Sequence, residues 1–120
     1  MRIAYFSPLT PQRSGIADYS EALLPHLAGH CEIEVFIEDY TPANAELSRC
    51  LRIRHWREFE EEQAQGRYDA VLYHLGNNPQ HVYIYDMAVR IPGVVMLHEF
   101  NLHYLLADVT IARNDWEGYF

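Results

Sequence analysis

One hundred and twenty residues, 49% of them apolar and 22% charged, make one domain at most and are enough to bury a core. Six glycines and six prolines are too few for a linker-like or disordered chain. Seventeen acids against nine bases give a net charge of −8, which argues against nucleic acid as a partner. All nine bases are Arg, a usage that fits a GC-rich bacterial genome. Without Lys, a Walker-type phosphate loop, a Schiff-base enzyme and a Lys general base are excluded. No apolar run approaches the roughly 20 residues needed to cross a bilayer. Met1 to Pro8 has no small-residue cleavage site and reads as a strand rather than a signal peptide. The expected location is the cytoplasm or the inner face of the membrane. Cys31 and Cys50 form no C-x-x-C pair and read as free thiols of a reducing compartment.

In chain order, Arg2 to Ser7 is apolar and aromatic, stops at Pro8, and predicts a buried first strand. A loop with two prolines leads to Ser14-Gly15, where Ser14 suits an N-cap and Asp18 the first helical turn. Ile16, Tyr19, Leu23, Leu24 and Leu27 recur at helical spacing as a buried stripe, with Pro25 kinking the helix or tightening its last turn and Gly29 ending it. Glu32 to Ile37 alternates as a second strand. A polar stretch around Pro42 precedes a weak third strand over Leu51 to Arg54. Trp56 to Gln65 favours helix, and its Glu60-Glu61-Glu62 run reads as a solvated face. Asp69 to Leu75 predicts a strong fourth strand, and Gly76-Asn77-Asn78-Pro79 is turn chemistry opening a helix that runs to about Arg90. Pro92-Gly93 breaks the chain before a fifth strand, Val94 to His98. Leu102 to Ala112 favours a last helix.

Strands alternating with helices predict an α/β fold: a doubly wound, Rossmann-like parallel sheet of about five strands with helices on both faces. Ligands of such sheets bind at the carboxyl edge, where the strand order reverses. Three connectors at that edge carry polar residues. Arg13-Ser14-Gly15 has one glycine at a helix start and no G-x-G-x-x-G. It suits a phosphate or other anion, or else is an ordinary capped helix with a surface Arg. Asn77, Asn78 and His81 can hold a hydroxyl-rich ligand by neutral hydrogen bonds, or can simply form a turn with capping amides. In Leu97-His98-Glu99-Phe100-Asn101-Leu102-His103 the two histidines are five apart, not the four a helical metal pair needs, so no metal site is expected from them. The four histidines 74, 81, 98 and 103 could still meet at one edge. No Ser or Cys sits in a nucleophile elbow.

Three segments taken together resemble the N-terminal domain of bacterial family-four retaining glycosyltransferases of the GT-B fold. They are Met1 to Pro11 with Ser14-Gly15-Ile16-Ala17-Asp18-Tyr19-Ser20, Tyr73-His74-Leu75-Gly76-Asn77-Asn78-Pro79, and Val94 to His103. The resemblance implies that residues 1–120 form the acceptor-side Rossmann-like domain, incomplete at its C-terminus, of an enzyme of retaining hexosyltransferase type. That enzyme would move a sugar from a nucleotide-diphosphate sugar to a sugar or glycolipid acceptor. It implies no metal or other cofactor, with Arg13, Ser14 and Gly15 facing the donor phosphates or sugar. His98 becomes the catalytic residue, touching the donor sugar near the reacting carbon, and Asn77, Asn78 and His81 line the acceptor side. Glu99 stands where relatives usually carry Asp. The C-terminal donor domain, with its two Glu eight positions apart, is the missing partner, and the 120 residues alone are expected to be inactive. An unpaired, apolar fifth strand would then make the piece self-associate. The competing expectation is a non-catalytic doubly wound module that binds a phosphate-bearing ligand or a protein.

Overall fold

The structure, a computed structural model, describes residues 1–12, 14–76 and 81–98. Five strands, β1 (Arg2–Phe6), β2 (Glu32–Ile37), β3 (Arg52–His55), β4 (Ala70–Leu75) and β5 (Val94–Leu97), form one parallel sheet in the order β3-β2-β1-β4-β5. The helices are α1 (Gly15–Leu27), α2 (Ala45–Cys50), α3 (Phe59–Ala64), preceded by a 3-10 turn over Trp56–Glu58, and α4 (Val82–Arg90). The order steps outward from β1 in one direction and then from β4 in the other. The chain is therefore a doubly wound, Rossmann-like α/β domain whose switch point lies between β1 and β4.

Strand alternation sorts the core into two layers. Ala4, Phe6, Phe36, Val71, Tyr73 and Leu75 face Phe59 of α3 and Tyr83, Ile84 and Met87 of α4. Tyr5, Ile33, Val35 and Ile37 face Leu24 of α1 and Leu47 of α2. Phe6 centres the first layer, with its ring 4.8–5.1 Å from those of Phe36, Phe59 and Tyr73.

Three local expectations change. The polar stretch around Pro42 contains α2, which Asn44 caps by accepting from the Glu46 and Leu47 N–H groups. Its single buried residue, Leu47, is too little apolar pattern to announce a helix. The third strand runs one residue later than its apolar residues suggest, Arg52–His55, because ladder pairing to Glu34–Ile37 sets its ends. The Glu run is not all solvated. Glu62 pairs with Arg54, Arg67 and Tyr68 beneath the sheet edge, and Glu60 pairs with Arg90.

That Glu62 pairing belongs to a larger network built on Glu34, a mid-strand carboxylate only 5% exposed. Arg54 and Arg67 approach its two oxygens at 3.1 and 2.7 Å, and the Tyr68 hydroxyl donates to it at 3.0 Å. Arg2 and Arg52 stand 3.8 and 4.0 Å away. A carboxylate in a buried strand is tolerable only with such partners.

Candidate functional site

At the carboxyl end of β1, the connector to α1 is tied down from several sides. The Tyr40 hydroxyl oxygen accepts from the Leu9 N–H at 2.8 Å, and Glu21 accepts from the Thr10 N–H at 2.6 Å. Ser14 then starts α1 in extended geometry (φ −155°, ψ 137°), and its Oγ accepts from the Ile16 N–H at 3.2 Å. Gly15 at the first helical position is exposed, and a Cβ built there meets nothing within 4 Å. The helix start is thus open, with the positive end of the helix dipole behind it.

The connector after β4 comes to the same place. Gly76 lies so close to α1 that a Cβ on it would stand 2.7 Å from Ile16 Cδ1 and 3.0 Å from His81 Cε1. His81 is buried and bridges the two connectors. Its Nδ1 is 3.0 Å from the Gly76 carbonyl and its Nε2 is 3.2 Å from Ser14 Oγ. A carbonyl only accepts, so His81 carries a proton on Nδ1, and in the neutral ring Nε2 then accepts from Ser14 Oγ–H. His81 therefore holds the rim together, whatever else it touches.

The third arm is the end of β5. His98 is half-buried; its backbone N–H bonds the Leu75 carbonyl at 2.9 Å. Its Nε2 lies 2.9 Å from Nδ1 of His74, a fully buried β4 residue. Tyr19 of α1 packs edge-on against His98 with ring centroids 4.9 Å apart, and its hydroxyl reaches Met96 Sδ at 3.9 Å. Beneath these rings, Tyr5 lies 4.5 Å from the His74 ring. A hydroxyl relay then runs from Tyr5 to Ser20 (2.9 Å) to Ser7 (2.7 Å) to the Pro8 carbonyl (2.8 Å). The carbonyl at its end fixes every donor in that direction. Burial raises the Tyr5 phenol to about 12, so it remains a neutral donor.

Ser14, Gly15, His81 and His98 are thus gathered on one rim, at the switch point. Arg13, Asn77, Asn78, Glu99 and His103, together with the helix expected over Leu102 to Ala112, lie outside the described residues. Among the described residues no three His, Cys, Asp or Glu side chains could hold a metal ion, and no helix is long and apolar enough to cross a membrane. Sequence reading assigned no site role to Tyr5, Ser7 or Ser20, placed Tyr19 in the apolar stripe of its helix although it is 42% exposed, and offered His74 only as one of four histidines that could meet at an edge. One signal was available: an imidazole within the buried run Ala70 to Leu75 is a polar group that needs a partner.

A hollow of about 490 Å³ opens at the carboxyl ends of β2 and β3. Of its polar side chains, Asp39 pairs with His55 and Tyr40 accepts from the Leu9 N–H. It lies away from the switch point between β1 and β4, where Ser14, His81 and His98 are placed. Comparison of the chain with protein-family models, with curated proteins and with solved structures finds no match.

Proposed function

We propose that this chain is the acceptor-side Rossmann-like part of a glycosyltransferase that uses a nucleotide-diphosphate sugar. The observation that carries the reading is the convergence, at one switch point, of an open glycine-bearing helix start with an imidazole at the end of the neighbouring strand. Sugar transfer from a diphosphate needs those two elements. The departing diphosphate gathers negative charge, which backbone N–H groups and a helix dipole stabilise without reorganising. The sugar, with its hydroxyls, needs neutral hydrogen-bonding groups beside the reacting carbon. In this reading Gly15 lets the donor phosphate approach the backbone, Ser14 and His81 hold the rim in shape, and His98 is the catalytic residue against the sugar. Arg13 adds charge to the phosphate side, and Asn77 and Asn78 add neutral partners on the acceptor side. Catalysis itself needs a second, facing domain to exclude water from the oxocarbenium-like centre.

Titration of the isotopically labelled chain with UDP-glucose, GDP-mannose and inorganic pyrophosphate tests the reading. The amide resonances of Gly15, Ala17 and His98 should move together with at least one nucleotide sugar, and Gly15→Ala should suppress the shifts while leaving the fold intact. No movement at these amides with any nucleotide sugar would remove the proposal. Movement with pyrophosphate alone would favour a phosphate-binding module instead.

A further inference from the structure

We infer that His74 is a positioning residue that fixes His98 in the Nδ1–H tautomer, so that His98 presents an N–H rather than a lone pair and the ligand atom it meets is an acceptor oxygen of a hydroxyl or phosphate. Three observations lead there. The two rings share one hydrogen bond, His74 Nδ1 to His98 Nε2 at 2.9 Å. His74 is fully buried, and its other nitrogen, Nε2, has no hydrogen-bond partner. His98 is only half-buried, and its Nδ1 meets no partner among the described residues.

With both rings neutral, each carries a single proton, and one of these lies in the shared bond. If His98 donated from Nε2, the proton of His74 would sit on Nε2, an N–H sealed away from every acceptor. Such orphaned donors are rare in folded proteins, more so than an acceptor left without a donor. If His74 donates from Nδ1, its Nε2 is bare and His98 must hold its own proton on Nδ1. The second arrangement leaves no buried N–H unmet, and the first does. Neutrality is supported by the surroundings. The groups facing His74 are Tyr5 from β1, Tyr19 from α1, and the His81 and His98 imidazoles, none of which supplies a negative charge. Burial, then His98 and His81, pushes His74 down to about 4, and burial also lowers His98.

The inference rests on the proposed sugar-transferase reading only for the identity of the ligand. The tautomer is a property of the chain alone, so the two can fail separately. Long-range ¹H–¹⁵N correlation spectra of the histidine-labelled chain at pH 7.5 report which nitrogen of His98 is protonated. The expected result is Nδ1–H for His98 in the unsubstituted protein. His74→Asn, whose amide N–H can stand in for Nδ1–H, should preserve it. His74→Phe, which has a ring but no donor, should release His98 into the mixed tautomer pattern of a free imidazole. A spectrum of the unsubstituted protein showing His98 protonated on Nε2 would overturn the inference, as would an unchanged His98 tautomer in a folded His74→Phe protein. If His74→Phe does not fold, the unsubstituted spectrum and His74→Asn still decide.

Discussion

Gly76 and His74 show how single atoms set the rim. At Gly76 the absent side chain lets the two connectors close together, since a Cβ would stand 2.7 Å from Ile16 Cδ1 and 3.0 Å from His81 Cε1. We predict that Gly76→Ala destabilises the domain by about 1–3 kcal/mol, the usual cost of overpacking, measurable as a lower urea midpoint. Gly15→Ala should behave in the opposite way. It fills open space at a helical position and should be neutral or stabilising by up to about 1 kcal/mol. His74 makes a pH prediction. Its folded pKa, about 4, is below its unfolded 6.5, so the unfolded chain binds more protons between those values. Stability from this group is therefore complete above pH 6.5 and is lost as pH falls from 6.5 towards 4. Urea titrations across that window should show the slope, and His74→Asn should flatten it. At this scale the sequence exposed Ser14, Gly15 and His98 because caps and strand ends have local signatures. It concealed His74, whose meaning depends on a residue 24 positions away.

Among elements, α1 depends on its start more than its length. Ser14→Ala removes the acceptor for the Ile16 N–H and the hydroxyl facing His81, and should cost about 1 kcal/mol in thermal or urea unfolding. β2 depends on a charge. Burial works to raise the Glu34 carboxyl, but hydrogen bonds from Arg67, Arg54 and Tyr68 outweigh it and hold the group below its ordinary 4.5. A carboxyl depressed in the fold stabilises above its unfolded value, and that contribution disappears as pH drops below about 4.5 through the folded value. Replacing Glu34 with Ala leaves Arg54, 11% exposed, with less of its compensation and should cost on the order of 3 kcal/mol. A denaturation midpoint unchanged by Glu34→Ala would contradict this account. The strand was legible as alternation, Glu32 to Ile37. The network was not, because Arg54, Glu62 and Arg67 come from segments that read separately as a weak strand, a charged helix and a loop.

Among the described residues, β5 is the exposed flank. Val94, Val95, Met96 and Leu97 are 37–63% exposed, although they alternate between the two faces of the sheet. A parallel strand is normally covered on both faces. An apolar edge in this condition invites pairing with another chain. We therefore expect the purified chain to associate in a concentration-dependent way, and Val95→Lys to reduce that association. Sedimentation velocity showing only monomer at every concentration would contradict the expectation.

The alternation of apolar strands with helical segments was sufficient by itself to determine the doubly wound class, since periodicity and turn chemistry are local and survive without neighbours. The cap at Ser14 was determined in the same way. Only the tertiary structure decided that β1 lies between β2 and β4, and hence that Ser14, His81 and His98 share a rim although 84 positions separate the first from the last. Strand order is a property of long-range pairing, and no short stretch of sequence carries it. The inferred direction of the proton between His74 and His98 likewise rests on tertiary structure, on one buried nitrogen that has no hydrogen-bond partner.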